Sequence, residues 1–362
     1  MVGYVKWVTS SWVLLYGWEM RNSWRTVTIV IPCLNEEERI EACLESLLAN
    51  DYPRELSEIW VMDGHSSDRT REIVAGVAER DERVKLVGNP DRGKSEALNM
   101  AILRSRADVI LRADAHAVYD THYVKTLIEG LNETGAENLG GVRETYPGET
   151  IKEQAIAWVI SSPLGAGNSP WRTGADAVQE VETVFGGCYP RSVFEEVGLF
   201  EPALKRAQDR EFNARLRRSG GRILLDPRAR CTYFPRTRLS DYVRWTWDGA
   251  YSLFGASRFT TTPLLAWRNL LPAGFVGYQV LLLVTTPALR KRSIPLYAPI
   301  VAYWGVVTTA SLIRSRHANS SSFVPWGIAV LACTHYVYGA GSLAGAVVSG
   351  VSRLGRWKRG AQ

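Results

Sequence analysis

Residues 26–63 read TVTIVIPCLNEEERIEACLESLLANDYPRELSEIWVMD, and the alternation within this stretch decides the fold. TVTIVIP (26–32) is an unbroken run of β-branched and apolar residues, the pattern of a strand covered on both faces. Glu36–Leu48 repeats its apolar residues at helical spacing, and SEIWVMD (57–63) is strand again. The alternation continues outward. A second helix opens at Ser66 with Asp68 in its first turn, RVKLV (83–87) precedes a helix over Ser95–Arg104, and DVILRAD (108–114) precedes a helix over 121–131. Strand and helix in strict turn predict an α/β fold whose sheet is mainly parallel, with helices on both faces. Ligands of such sheets bind at the carboxyl ends of the strands. Asn35 and Glu36, Asp63, the loop 88–95, and Asp114 with His116 all fall there.

Charge divides the chain sharply. Residues 249–362 hold 11 Lys/Arg and no acid, a net +11, so the preceding residues carry −5 of the whole-chain +6. A basic tail suits nucleic acid or an anionic membrane, and the hydropathy between the charges decides for membrane. Residues 269–289, 294–313 and 323–352 are uncharged, and about 20 apolar residues match a bilayer core. If all three cross, the basic clusters Arg290–Arg292, Arg314/Arg316 and Arg353–Arg359 break the positive-inside pattern somewhere. A first segment that lies in the interface, helped by Pro272 and Pro287, would resolve this, so two or three spans are expected. A buried helical subdomain is the competing reading. The division expected is an aromatic interfacial segment (1–24), a catalytic domain (25–260) and a membrane anchor (261–362). Five cysteines without a CxxC pair argue against a zinc site or a disulfide framework. The stretch 163–174 (PLGAGNSPWRTG) reads as a mobile loop.

Three motifs carry chemistry. Asp114-Ala115-His116 offers a carboxylate oxygen and an imidazole nitrogen at a strand end, a donor pair suited to Mn2+ and less ideally to Mg2+; a strand-end Asp that caps a turn is the plainer reading. Asp63 can accept from a base N–H or a ribose hydroxyl, whereas Ser66, Ser67 and Asp68 read as helix caps. Gly88–Ser95 matches GxxxxGK[ST] between a strand and a helix, which makes a nucleotide-hydrolysing P-loop a competitor. Against it, Pro90 removes one of the backbone donors that such a loop turns toward phosphate. Arg92 or Lys94 would approach a diphosphate under either reading. Asp209 sits at a helix start beside Gln208, where a carboxylate could serve as a general base or simply favour the helix dipole.

The runs TVTIVIPCLNEEERIEACLESLL, VMDGHSSDRT, GKSEALNMAI, RADAHAVYD, ETVFGGCYPRSVFEEVGLFEP and RAQDREFNARLRRSGGRI resemble family 2 glycosyltransferases with the GT-A fold. DAHAVY and QDREFNARLR are similar to the ExoA-type subgroup of succinoglycan glucosyltransferases, which extends lipid-linked polysaccharide precursors. The resemblance spans roughly 26–260. It implies that Pro32, Asn35, Glu36 and Asp63 surround the nucleoside, that Lys94 lies near the nucleotide, and that Asp114 with His116 takes the metal position. His116 stands where the family usually has a second Asp. Asp209 would be the catalytic base, and Gly186-Gly187 would shape the acceptor side. Asp241-Tyr-Val-Arg244-Trp245 resembles the QxxRW motif of processive members with Asp in place of Gln, so polymerisation is not implied; Arg244 and Trp245 would contact diphosphate or acceptor, or belong to an amphipathic interface helix.

The function expected is an inverting, metal-dependent transfer of a hexose from a nucleotide sugar, such as a UDP-sugar, to a polyprenyl-linked saccharide. The chain would sit in the cell membrane with its catalytic domain facing the cytoplasm, and would bind no nucleic acid. A polyprenyl-phosphate sugar synthase, the P-loop enzyme and a non-catalytic membrane scaffold are the alternatives.

Overall fold

The structure, a computed structural model, describes residues 24–167 and 169–360. The expected aromatic interfacial segment therefore lies almost wholly outside the described residues. The strands are β1 (Val27–Cys33), β2 (Ser57–Asp63), β3 (Val84–Gly88), β4 (Val109–Arg112), β5 (Ala117–Tyr119), β6 (Asn138–Thr145), β7 (Gln179–Glu180), β8 (Phe185–Pro190) and β9 (Ile223–Tyr233). The helices used below are α1 (Ile40–Leu48), α2 (Thr70–Arg80), α3 (Lys94–Arg104), α4 (Tyr123–Thr134), α5 (Ile151–Ser161), α6 (Pro163–Ala166), α7 (Pro170–Thr173), α8 (Ser192–Val197) and α9 (Gln208–Arg218). After them come α10 (Leu239–Gly255), α11 (Trp267–Leu289), α12 (Ala298–His317) and α13 (Phe323–Gly360).

The strands form one sheet in the order β3-β2-β1-β4-β8-β6-β9-β5, with β7 paired to β9. β3, β2, β1 and β4 run parallel, and β8 joins β4 antiparallel. All seven residues of β1 are buried, as an unbroken apolar strand covered on both faces requires. From β1 the chain builds outward through β2 and β3, then returns to place β4 on the other side of β1. The switch point therefore opens between the carboxyl ends of β1 and β4, where open α/β sheets bind their ligands.

The chain divides into two compact units, neither continuous in sequence. One comprises residues 1–142, 176–199 and 219–231; the other comprises 143–175, 200–218 and 232–362. In the second unit, α11, α12 and α13 contain three stretches long and apolar enough to cross a membrane, over Trp267–Ala288, Ile294–His317 and Phe323–Gly350. Their outer faces expose Leu281, Leu283, Val284, Val301 and Val347, the apolar covering that lipid rather than water favours. Pro272 and Pro287 sit within α11 without ending it. Small residues on α13 let its neighbours come close. A side chain at Gly339 would strike the Pro272 carbonyl of α11, and one at Gly345 the Tyr251 carbonyl of α10.

Three local expectations are corrected. The first helix begins at Ile40 rather than Glu36, because Asn35 adopts φ 54° and the next residues form a turn whose Glu36 carbonyl accepts from Arg39 and Ile40. Ser66 does not open the second helix. That helix starts at Thr70, whose N–H donates to the Asp68 carboxylate. Residues 163–174 are two four-residue helical turns, each entered by a proline at its first position.

Candidate active site

In the first unit the loops after β1, β2, β3 and β4 converge. Asn35 staples two of them: its N–H donates to Ser66 Oγ at 2.9 Å and its side-chain oxygen accepts from the Ser67 N–H at 2.8 Å. The Ser66 and Ser67 hydroxyls thus tie loops together instead of capping a helix. Pro32 is within β1, in register with Met62, directly before the strand end. Glu36 reaches across the switch point, its Oε1 3.0 Å from His116 Nδ1. This contact joins the loop after β1 to the loop after β4.

Asp63 is fully buried at the end of β2. Its carboxylate accepts from the His65 and Ser66 N–H groups and from Arg71 Nη1 at 2.7 Å. Burial pushes this carboxyl up, but the Ser66 and Arg71 hydrogen bonds outweigh it and hold it below the ordinary carboxylate range. Asp63 is therefore a fixed anion that also shapes its own loop.

The P-loop-like stretch is built differently from a phosphate cradle. Asn89 is buried, its N–H donating to the Asp63 carbonyl and its side-chain amide to the Gly93 carbonyl. Arg92 holds φ 60° on the exposed rim. At Gly93, a Cβ would fall 1.7 Å from Glu96 Oε2, so a carboxylate of the helix's own first turn covers the start of α3. Like charge there opposes a phosphate at the helix N-terminus. Lys94 instead lies with its Nζ 4.0 Å from Asp114 Oδ1.

Asp114 is nearly buried, and its Oδ1 accepts from Arg112 Nη2 at 2.7 Å. The Asp114 N–H donates to the Tyr119 hydroxyl at 2.7 Å, which fixes the turn that carries the carboxylate. Gly186 and Gly187 in β8 back onto this corner with φ of 72° and 104°. A Cβ at Gly186 would meet the Arg112 carbonyl at 2.7 Å, and one at Gly187 the Tyr189 ring at 2.6 Å. Both positions need glycine on two counts, backbone angle and space.

The remaining expected site residues belong to the second unit. Gln208 and Asp209 form the first turn of α9, with Gln208 and the Asp209 Oδ1 buried. Ala207, immediately before, is held at φ 66°, a conformation costing about 1–2 kcal/mol for a residue with a Cβ. Its carbonyl accepts from the Glu211 N–H, so the strained residue sets where the helix begins. Arg244 is exposed on α10, while Trp245 stacks on Tyr242 at 6.0 Å and carries the Arg172 guanidinium 6.0 Å from its ring.

Sequence reading passed over three arginines. Arg112 is buried within β4 and pairs with Asp114; a charge inside a strand was the available signal. Arg143 is buried in β6, and Arg172 follows from the folding of 163–174 into turns. Among the described residues no group of three or more His, Cys, Asp or Glu side chains is arranged to hold a metal ion. All five cysteines are free.

Residues 28–177 match the family described as Glycosyl transferase family 2. The chain is 35% identical over 213 residues to the succinoglycan biosynthesis protein ExoA of Rhizobium meliloti (strain 1021), a match covering 58% of this chain and 64% of that protein. The match thus spans less than two thirds of that relative's length. It is 28% identical over 228 residues to the dolichyl N-acetyl-alpha-D-glucosaminyl phosphate 3-beta-D-2,3-diacetamido-2,3-dideoxy-beta-D-glucuronosyltransferase of Methanococcus voltae, covering 61% of this chain and 70% of that one. Among solved structures, the mannosyltransferase PcManGT from Pyrobaculum calidifontis in complex with GDP-Man and Mn2+ is similar with a TM-score of 0.61 at 20% identity, covering 91% of this chain and 94% of that one. The likeness establishes the fold, the GT-A arrangement of a mostly parallel sheet.

Proposed function

Residues 28–177 match the family described as Glycosyl transferase family 2, and from that premise we propose that the chain is a membrane-attached, inverting glycosyltransferase. It would move a hexosyl group from a nucleotide sugar, such as a UDP-sugar, to a hydroxyl of a polyprenyl-linked saccharide. The observation that carries this reading is the Glu36–His116 contact across the switch point, with Asp63, Lys94 and Asp114 on the neighbouring strand ends. It supports the reading by bringing carboxylates, an imidazole and an ammonium, groups suited to a nucleoside and a diphosphate, to one edge of the sheet.

In this reading Pro32, Asn35 and Glu36 surround the nucleoside, and Asp63, its carboxylate buried and bonded to His65, Ser66 and Arg71, holds the loop beside the base. Lys94 and Arg92 supply positive charge to the diphosphate. The donor set suits Mn2+ or Mg2+: Asp114 offers carboxylate oxygen, and His116, with Glu36 on Nδ1, would ligate through Nε2. A carboxylate behind a ligating imidazole is the usual way to orient it and raise its basicity. When bound, the ion would offset the charge of the departing diphosphate. Two protein ligands are too few for a tight site, so the diphosphate would complete the coordination sphere, as is common for hard cations at phosphates. Asp209 takes the proton from the acceptor hydroxyl while that oxygen attacks the anomeric carbon opposite the leaving group. Gln208, Gly186, Gly187, Arg244 and Trp245 would line the acceptor and diphosphate side. The three apolar helices would hold the acceptor's lipid beside the enzyme, at the cytoplasmic leaflet.

The test uses membranes carrying the wild-type chain or Asp209→Asn, given labelled nucleotide sugars, Mn2+ and a lipid-linked acceptor extract. Label should enter the organic phase with the wild type and fall by about 10²–10⁴-fold with the variant, while nucleotide binding persists. Equal labelling by both chains would remove Asp209 from the chemistry. No labelling with any donor, alongside Lys94-dependent ATP hydrolysis, would return the reading to a P-loop enzyme.

A further inference from the structure

We infer that none of the three apolar helices crosses the bilayer. Instead α11, α12 and α13 lie in the surface of one anionic lipid leaflet, with every basic cluster on the side that carries the rest of the second unit. The arrangement holds whichever sugar is transferred.

α13 has the composition of a span and the surroundings of a surface helix. Residues 323–350 contain no Lys, Arg, Asp or Glu, yet the charged helix α10 lies along their second half. The Tyr242 hydroxyl is 2.7 Å from Thr334 Oγ1. A Cβ at Gly341 would fall 3.0 Å from the Trp247 carbonyl, and one at Gly345 2.5 Å from the Tyr251 carbonyl. Ser349 Oγ donates to the Phe254 carbonyl at 3.0 Å. These contacts advance in step, so α10 accompanies α13 over 334–349, about 24 Å of helix. α10 carries Asp241, Arg244 and Asp248. Arg244 is exposed, and the Asp248 side chain is 42% exposed, 3.7 Å from Arg206. A bilayer core centred on α13 would therefore bring three charges of α10 into hydrocarbon, an environment that disfavours them strongly. What is left, 323–333, measures about 16 Å against a hydrocarbon core of about 30 Å.

That first half is also covered by the protein. The Phe323 ring meets Trp158 of α5 edge-on at 5.6 Å, and His335 Nε2 is 2.8 Å from the Leu164 carbonyl of α6. α13 thus lies flat on helices of its own unit. Its buried residues include Thr334, Ser342 and Ser349, while Trp326, Leu343 and Val347 are exposed. A helix facing water shows the reverse; an apolar outer face suits a helix lying in the membrane plane.

The other two helices follow α13. α12 runs antiparallel to its first half: the Tyr303 hydroxyl is 3.1 Å from His335 Nδ1, a Cβ at Gly327 would fall 2.9 Å from Ser311 Oγ, and the Arg314 guanidinium is 5.8 Å from the Phe323 ring. α11 is tied to α13 by Asn269, which donates to the Tyr338 hydroxyl at 3.1 Å, and by Gln279, which accepts from the Tyr336 hydroxyl at 2.9 Å. The link from α11 to α12 is a 3-10 helix over Arg290–Tyr297 that folds back, its Tyr297 hydroxyl 2.9 Å from Thr286 Oγ1. At about 2 Å per residue it reaches roughly 16 Å, too short to bring the chain back across a bilayer that α11 had crossed. Without crossings, Arg290–Arg292, Arg314 with Arg316, and Arg353–Arg359 all stand on one side, and the positive-inside pattern is kept. The net +11 of residues 249–362, with no acid among them, complements anionic headgroups.

The experiment reads sidedness in sealed membrane vesicles of both orientations that carry the full chain. Ser293→Cys, Ser321→Cys and Gln362→Cys are each treated with a membrane-impermeant maleimide, the wild-type chain giving the background of its own cysteines. Lys205→Cys, at an exposed position shortly before α9, marks the side of Asp209. All three thiols should react from the marker's side and be protected from the other. Where a thiol reacts from neither side, an epitope tag at the same position, read by antibody in the same vesicles, gives its side. Any of the three positions found opposite the marker overturns the proposal, because a helix before it then crosses. Retention through alkaline carbonate is expected of crossing and in-plane helices alike, so sidedness is the measurement that separates them. Either result leaves the proposed transfer as it stands.

Discussion

At the scale of single residues, the candidate site is held by contacts that leave little choice of side chain. Gly186 combines φ 72° with a carbonyl that would lie 2.7 Å from any Cβ. Gly186→Ala is therefore expected to cost about 1–3 kcal/mol and to displace the Arg112–Asp114 corner, read as a lowered melting temperature together with weaker UDP–Mn2+ binding. Glu36 touches His116 through Nδ1, and Glu36→Gln keeps the shape but removes the charge behind the ring. The Mn2+ needed for half-maximal transfer should rise about 10–100-fold, with the ligand-free melting temperature unchanged. An unaltered metal requirement would make the Glu36–His116 contact purely structural. Asp114 and His116 were legible as a pair because both follow an apolar strand. Arg112 was legible only as an anomaly, since nothing in a one-dimensional pattern says whether a charge inside a strand is exposed or paired.

Among elements, the turn between α2 and β3 shows how a short-range ion pair fixes a strand's entry. Asp81 accepts from Arg83 Nε at 3.0 Å, and from Arg83 Nη2 and Arg54 Nη2 at 2.8 Å each. The Arg83 hydrogen bonds lead in pulling its carboxyl down to about 2. Because the folded value lies below the unfolded value near 4, the stability it contributes is complete above about pH 4 and is lost as pH falls toward 2. Asp81→Asn should lower stability by about 1–2 kcal/mol at pH 7, and the difference should vanish near pH 2 in melting curves. In the second unit, the approach of α13 to α10 depends on Gly345, whose added Cβ would sit 2.5 Å from the Tyr251 carbonyl. Gly345→Leu should force the helices apart and destabilise the unit, and limited proteolysis between α10 and α11 should then become faster. The apolar helices were readable from the uncharged runs 269–289, 294–313 and 323–352. The turns α6 and α7 were not, because a stretch rich in Gly, Pro and Ser satisfies loop and short-helix patterns equally.

For the whole molecule, composition points one way and chain tracing another. Hydropathy and charge change near residue 260, whereas each compact unit draws on segments separated in sequence. The second unit unites the three apolar helices with residues 143–175 and the helix bearing Asp209. The chain is accordingly expected to remain with membranes through alkaline carbonate and to be released by detergent; release by carbonate would show that the helices do not span. With no three-ligand metal group among the described residues, Mn2+ alone should leave the melting temperature unchanged, and Mn2+ with UDP should raise it.

The sequence by itself determined the α/β order of the first half, the strand-end placement of Asn35, Glu36, Asp63, Lys94, Asp114 and His116, and the three apolar spans. It could do so because apolar periodicity records which face of an element is buried, and a strand's carboxyl end is fixed by chain direction alone. Tertiary structure decided what no local pattern encodes. It bonded Glu36 to His116 across 80 residues of chain, turned the P-loop-like stretch into a loop covered by Glu96, and gathered Arg143 and Arg172 on the Trp171 indole. Such contacts depend on distances between elements, which packing sets and single residues do not announce.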